Sequence, residues 1–408
     1  MNRQPYATPP KHWAPKMNPF LVRLFRRRIN HTLHSSQKIT QIEVQGTERL
    51  QQAIADGAGI LITPNHSFHY DSYVLIETGH RVGRPFHFLT AWQVFQMSSA
   101  YEQWVLQVHG CFSINRESND LQAFKQSVDI LRESEYPLIV FPEGDIYHHN
   151  DRLTPFREGA AAIALSAAKK GLRKVVAMPC AVKAFYTRDP RPELEEVMAR
   201  LEDSIHWRAR REATLEDRVY KFAEAIMALK EIEHLGQPQR GTIDERATAL
   251  ADAITRRLET THGIARPSDG LPERVKELRR AVIKALEGEG LNSTEQAQLQ
   301  RDMDDLFFVM QLFSYPGDYL SERPTIERLA ETIDKFEEDI LRQDFPTIRG
   351  ERKVIVRFGE PIEVPAERGG RDGVAQLTNA LQTAVQNLLD DINREHFAAA
   401  APPELIHA

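Results

Sequence analysis

Four short apolar runs, separated by stretches with helical spacing, constrain this chain most. They are "GILIT" (59–63), "CFSIN" (111–115), "PLIVF" (137–141) and "VVAMPCAVKAF" (175–185). Strands apolar along their whole length, rather than at alternate positions, belong to a sheet buried on both faces. The helix candidates between them include "DLQAFKQSVDILRES" and "EGAAAIALSAAKK". The pattern predicts an α/β fold, with a mixed, mostly parallel sheet flanked by helices.

A second constraint lies far downstream. Residues 191–345 read as charged amphipathic helices broken near "GQPQRG", "RPSDGLP" and "YPGDY". One strand then returns, "KVIVRFGEPIEV" (353–364), followed by a helix carrying Val374, Leu377, Leu381, Val385, Leu388 and Ile392 on one face. An isolated strand cannot satisfy its own backbone groups, so it must pair with the earlier sheet. The expected organisation is a basic arm (1–40), an α/β core (41–188), a large helical insertion (189–350) and a returning strand with a C-terminal helix (351–408). The tail "AAAAPPELIHA" has the look of a loosely ordered end.

Composition narrows the function classes. Cys111 and Cys180 show no CxxC spacing, so a disulfide framework or thiolate zinc site is not expected, although spacing alone leaves one bridge between them open. No run approaches the roughly 18 apolar residues of a membrane span, and no secretory signal is evident at the start. The net charge of -6 conceals a basic beginning: Arg3, Lys11, Lys16, Arg23, Arg26, Arg27, Arg28 and Lys38 precede the first acid, Glu43. In "NPFLVRLFRRRINHTL", Leu21, Phe25, Ile29 and Leu33 recur every fourth residue, with Phe20 and Leu24 beside them. Such a helix suits an anionic membrane surface, and equally suits packing on the body with its arginines exposed. Nucleic acid is not an expected partner, because no aromatic-interleaved basic patch recurs.

Chemistry concentrates where strands end. In "PNHSFHYDS" (64–72), His66 and Asp71 would lie about 140° apart on one helix. A turn after the strand, with a helix beginning near Asp71, could instead fold the carboxylate back onto the imidazole. Model imidazoles titrate near pH 6.5 and are mostly neutral at pH 7; a carboxylate partner fixes the tautomer so that the other nitrogen accepts a proton. The plainer alternative is a turn histidine beside an ordinary helix-capping aspartate. In "FPEGDIYHHNDRLTPFREGAA", Gly144 permits close backbone approach, and Glu143 can accept hydrogen bonds from substrate hydroxyls. In "GCFSINRES", Arg116 suits a bidentate grip on phosphate, or else a surface salt bridge.

Taken in order, His66-x4-Asp71, "GCFSINR", "FPEG" and Pro179 within "VVAMPCAV" resemble the four motifs of the phospholipid/glycerol acyltransferase family, which includes lysophosphatidate acyltransferases. "VRFGEPI" (356–362) is similar to that family's closing strand. The resemblance covers roughly 41–188 plus 353–364. It implies His66 as general base, Asp71 as its support, and direct attack of an acceptor hydroxyl on a fatty acyl thioester. It also implies that Gly110, Arg116, Glu143 and Gly144 shape the acceptor site, with Arg116 on its phosphate, and that Pro179 lies toward the acyl donor. Acyl-coenzyme A or acyl carrier protein would be the co-substrate, with no metal or bound cofactor. The acceptor would be 1-acylglycerol-3-phosphate or a related lysolipid, and the protein cytoplasmic and peripheral to the membrane. One departure stands out. Where the family continues Phe-Pro-Glu-Gly-Thr-Arg, this chain has Asp145 and Ile146, which points to an acceptor less anionic than lysophosphatidate or to a phosphate held mainly by Arg116, with Arg152 or Arg157 as other sources of the missing charge.

Other classes stay open on sequence alone. His66, His69 and Asp71, with His148, His149 and Asp151, could ligate a metal in a hydrolase. Ser67, Ser72 or Cys111 could act as a nucleophile. A catalytically inactive lipid-binding or scaffold protein is a third reading. The aromatic-rich stretch 86–107 fits either an acyl groove or core.

Overall fold

The computed structural model describes residues 11–117, 119–169, 171, 173–264, 270–288, 290–315, 317–366 and 370–400. Arg3, residues 401–408 of the tail and residues 266–269 of the "RPSDGLP" break lie outside them. Among the described residues, eight strands share one sheet: β1 (Ile39–Gln45), β2 (Gly59–Pro64), β3 (His87–Ala91), β4 (Cys111–Ile114), β5 (Leu138–Ile139), β6 (Val175–Tyr186), β7 (Arg352–Phe358) and β8 (Ile362–Glu363). The order is β1-β7-β6-β2-β5-β3-β4, with β8 also on β6. Strands β6, β2, β5, β3 and β4 run parallel, whereas β7 and β8 are antiparallel to β6 and β1 is parallel to β7.

The sheet is therefore mixed, mostly parallel and flanked by helices, as the apolar runs require. The returning strand enters the sheet interior, between β1 and β6. It differs from the expectation in being two strands: after Phe358 the chain breaks at Gly359–Pro361, and β8 pairs with Val176 and Ala177. Pro179 lies where β6 changes partner from β8 to β7, a position that tolerates a residue with no N–H to donate. β5 is shorter than its apolar run. The Val140 N–H still reaches Ile62 O at 3.1 Å, but Pro142 ends any further pairing.

Helices α6 (Leu121–Glu133), α7 (Gly159–Ala168) and α15 (Gly370–Ala400) cover one face, packing Val128, Leu131, Ala164, Leu381 and Val385 against Leu61, Leu138 and Ala177. The alanines of α7 let its backbone approach the sheet closely. Elsewhere in the α/β unit lie α1 (Pro19–His31), continued by a π turn at Thr32–Ser36, then α2 (Thr47–Ala55), α3 (Asp71–Val82), α4 (Trp92–Met97) and α5 (Ala100–Val108). This unit takes in the described parts of Pro9–Asn115, Asp120–Asp189 and Ile348–Ala408.

A second, helical unit comprises Pro190–Thr347 with Arg116–Asn119. Its helices are α8 (Arg191–Ser204), α9 (Leu215–Leu235), α10 (Ile243–His262), α11 (Leu271–Leu286), α12 (Ser293–Phe313), α13 (Tyr319–Glu322) and α14 (Ile326–Asp339). Thr242–Glu245 and Asn292–Glu295 form capping boxes that start α10 and α12, as the sequence pattern dictates. Buried ion pairs Arg218–Glu202 and Arg246–Glu231, each at 2.8 Å, tie its helices together. No described helix is long and apolar enough to cross a membrane.

β2 stops at Pro64 while β6 runs on to Tyr186, which leaves part of the β6 edge without a neighbouring strand. Two asparagines fill the gap. Asn65 donates to Val182 O (2.9 Å) and accepts from Val182 N (2.7 Å), while Asn150 does the same at Ala184 (2.7 and 3.0 Å). Each side chain thus imitates one residue of a missing strand and fixes its own loop to the sheet. Asn150→Ala leaves a buried N–H and C=O of Ala184 unpaired and is expected to cost about 2 kcal/mol or more. Urea denaturation followed by circular dichroism checks this; a loss below about 0.5 kcal/mol, the size of an ordinary surface substitution, would contradict the edge-capping role.

Candidate active site

The loop from β2 to α3 is organised by one carboxylate. Asp71 is fully buried in the first turn of α3, and its Oδ2 accepts from Ser67 N (2.8 Å), Phe68 N (2.9 Å) and, at 3.0 Å, His66 Nδ1. The two backbone bonds curl residues 67 and 68 back over the helix start, which is how residues five apart come to meet. The helix N-terminus favours the negative charge there. Oδ1 has no hydrogen-bond partner among the described residues.

The imidazole of His66 stacks on Phe141 at the end of the β5 run, with ring centroids 3.9 Å apart and planes 20° apart. Its side chain remains 18% exposed, so the ring is held on one side and reachable on the other. With Nδ1 committed to a carboxylate, Nδ1 carries the proton in the neutral ring and Nε2 is the basic atom. Asp71 would also stabilise the imidazolium that forms when Nε2 takes a proton.

Glu143 is placed differently from the expectation of a ligand for substrate hydroxyls. It is 2% exposed, and its two oxygens accept from His66 N (2.7 Å) and Thr154 N (2.9 Å). The side chain thus clamps the His66 loop to the segment after "FPEG". Burial pushes its pKa up to about 8; the two N–H bonds oppose the rise, and nearby Asp71 adds to it.

Gly144 adopts φ +80°, and a Cβ there would fall 2.6 Å from Arg157 Nε and 2.8 Å from its Cζ. The glycine is needed for its left-handed backbone, and the flexible Arg157 side chain lies over it. Arg157 is exposed, its guanidinium bonds the Tyr147 hydroxyl, and no described carboxylate forms an ion pair with it. Burial pushes the Tyr147 phenol up to about 12, so it stays neutral.

Gly110 is not brought to this cluster. In register it stands beside His87 and level with Leu61, five residues before His66, or about 16 Å along the strands. Its φ of +81° serves the turn from α5 into β4, where a Cβ would strike Met17 Cε at 2.4 Å. Arg116 follows the end of β4 in the short segment grouped with the helical unit. Pro179 pairs with Thr63, one residue before the end of β2, and its carbonyl accepts from Gly359 N at 2.8 Å, so the closing "VRFGEPI" adjoins the fourth motif.

Of the competing metal ligands, Asp151 is engaged elsewhere, whereas His69 and His148 lie side by side. Asp151 forms a buried ion pair with Lys183 and accepts from Asn393 Nδ2 (3.0 Å). The His69 ring centroid lies 5.7 Å from that of His148. Ser67 Oγ donates to His149 O at 2.6 Å. Both cysteines are buried free thiols, and burial pushes Cys111 up to about 12, which suits packing rather than nucleophilic attack. Asn65, Phe141, Thr154 and Asn150 were not singled out from sequence. The adjacency of Asn65 to His66, and of Phe141 to "PEG", was the available signal.

Residues 41–183 match the family model described as Acyltransferase. A 1-acyl-sn-glycerol-3-phosphate acyltransferase of Streptococcus pneumoniae (strain ATCC BAA-255 / R6) is 27% identical over 130 residues, which is 32% of this chain and 46% of that protein. The chain therefore spans about half the length of the curated relative it matches. His66, Asp71 and Glu143 all lie within the residues that match the Acyltransferase family model.

Proposed function

We propose that the chain is an O-acyltransferase acting on a hydroxyl of a glycerolipid-like acceptor. His66 Nε2 removes the hydroxyl proton as the oxygen attacks the carbonyl carbon of a fatty acyl thioester. A C–O ester bond forms, the C–S bond breaks, and the thiolate leaves with the proton that His66 returns. Acyl-coenzyme A or acyl carrier protein supplies the chain, with Pro179 toward that side. The observation that carries this reading is the 3.0 Å contact between His66 Nδ1 and Asp71 Oδ2 in a ring that stays reachable. Direct transfer is favoured over an acyl-enzyme by the engagement of Ser67 and the burial of Cys111.

The acceptor carries an anionic group such as a phosphate. Asp145 and Ile146 replace the threonine and arginine that the family motif usually has, and Asp145 Oδ1 accepts from Ile146 N at 3.0 Å. Arg157 is a guanidinium that the α/β unit offers beside Glu143 and Gly144. A guanidinium without a carboxylate partner is suited to a bidentate hold on phosphate.

Two substitutions test these assignments. His66→Ala is expected to lower kcat by about 10³-fold with an unchanged circular dichroism spectrum, read from labelled acyl thioester and a panel of lysolipids. Activity within a few-fold of the parent would remove His66 as the base. Arg157→Ala is expected to raise KM for an anionic lysolipid roughly tenfold or more, the scale of a charged hydrogen bond, while leaving KM for a neutral monoacylglycerol unchanged. An equal change for both acceptors would show that Arg157 does not read the charge.

A further inference from the structure

A histidine base becomes positively charged as it takes a proton, and a group that favours the charged ring without covering Nε2 lowers the barrier. Asp71 acts in the plane of the His66 ring, at its Nδ1 edge. A second in-plane acceptor would occupy Nε2 and keep the substrate hydroxyl away. A carboxylate over the ring face would favour a permanently protonated imidazole, which cannot act as a base. What suits the face is a neutral group with a negative surface, and an aromatic ring has one.

Phe141 stands in that place. Its ring centroid is 3.9 Å from that of His66, with the planes 20° apart, well inside the roughly 6 Å over which an aromatic face attracts a cation. The backbone on both sides of Phe141 is fixed. Val140 N donates to Ile62 O on β2 (3.1 Å), the Phe141 carbonyl accepts from Gly144 N (3.1 Å) to close the turn through Pro142 and Glu143, and Pro142 O accepts from Arg157 N (2.8 Å). Proline at 142 also disfavours a helical backbone at Phe141. Glu143 in that same turn takes the His66 N–H at 2.7 Å, so one turn holds both the backbone of the imidazole and the ring on which it rests.

We propose that Phe141 is a positioning residue for the base, its π face stabilising the His66 imidazolium while Nε2 stays open to the acceptor hydroxyl. Dispersion between the two rings acts before and after proton transfer alike. The attraction of a cation to the negative ring face appears only as the charge develops, so it belongs to the transition state and raises kcat rather than tightening substrate binding. Exclusion of water by the bound substrates strengthens it. The inference rests on the reading of His66 as general base and adds to it a second, out-of-plane support for the charged ring.

Site-specific replacement of Phe141 by phenylalanines bearing successively more ring fluorines tests it, because fluorine withdraws charge from the ring face with little change of shape. In mildly alkaline buffer, with labelled acyl thioester and a lysolipid acceptor, kcat is expected to fall stepwise along the series. Phe141→Leu, which has no π face, should lower kcat roughly three- to thirtyfold, with KM for both substrates changed by no more than about twofold. Thermal melts confirm that each variant folds. A fluorinated series with constant kcat, or a loss carried by KM instead of kcat, would overturn the proposal, since a ring that merely fills space is indifferent to fluorine. His66→Ala assayed alongside separates the two ideas. Parental activity in that variant removes the base assignment and this proposal with it, whereas an inactive His66→Ala beside a flat fluorine series removes the role of Phe141 alone.

Discussion

One carboxylate oxygen, Asp71 Oδ2, accepts three hydrogen bonds from three successive residues, and the geometry of the candidate site depends on it. Burying a charge is costly unless it is paired and hydrogen-bonded. Here the cost is offset by two backbone donors, an imidazole N–H and the first turn of α3. The same set of bonds selects the tautomer of His66, because the nitrogen facing the carboxylate must carry the proton. Folding of the loop and preparation of the base are thus one event.

That loop is held from three further directions. Asn65, directly before His66, binds the uncovered edge of β6, Glu143 accepts from the His66 N–H, and Phe141 supports the ring. The segment after "FPEG" is fixed in turn by Asn150 on β6 and by α15, whose Gln382 and Gln386 accept from Phe156 N and Leu153 N. The C-terminal return of the chain therefore has a role beyond completing a sheet. β7 and α15 steady a site built more than two hundred residues earlier, and Lys183 with Asp151 seals the join.

Much of this was legible in the sequence where a pattern has one physical solution. Fully apolar runs announced the buried sheet, and the backbone requirement of residues 353–364 placed a late strand in it. Turn and helix-start residues between His66 and Asp71 allowed the carboxylate to fold back. Direction and register were not legible. Glu143 could face a substrate or the backbone, and only tertiary contacts decide that it takes two N–H groups. Gly110 belongs to a suggestive motif, yet the parallel register of β4 sets it a full strand length from His66. Strands β1 and β3 carry polar and charged residues that hide them, and the break at Gly359–Pro361 follows from where β6 changes partner. Asn65 and Asn150 act through an edge that exists only once β2 and β6 are aligned.

The central claim is that Asp71 holds the His66 Nδ1–H and leaves Nε2 as the base. Nitrogen NMR of histidine-labelled protein in mildly alkaline buffer, with His66 assigned by comparison with His66→Ala, reads the tautomer directly. The account predicts a neutral ring with its proton on Nδ1, and loss of that strong preference in Asp71→Ala. A His66 ring protonated on Nε2 in the parent protein, or an unaltered spectrum in Asp71→Ala, would contradict it.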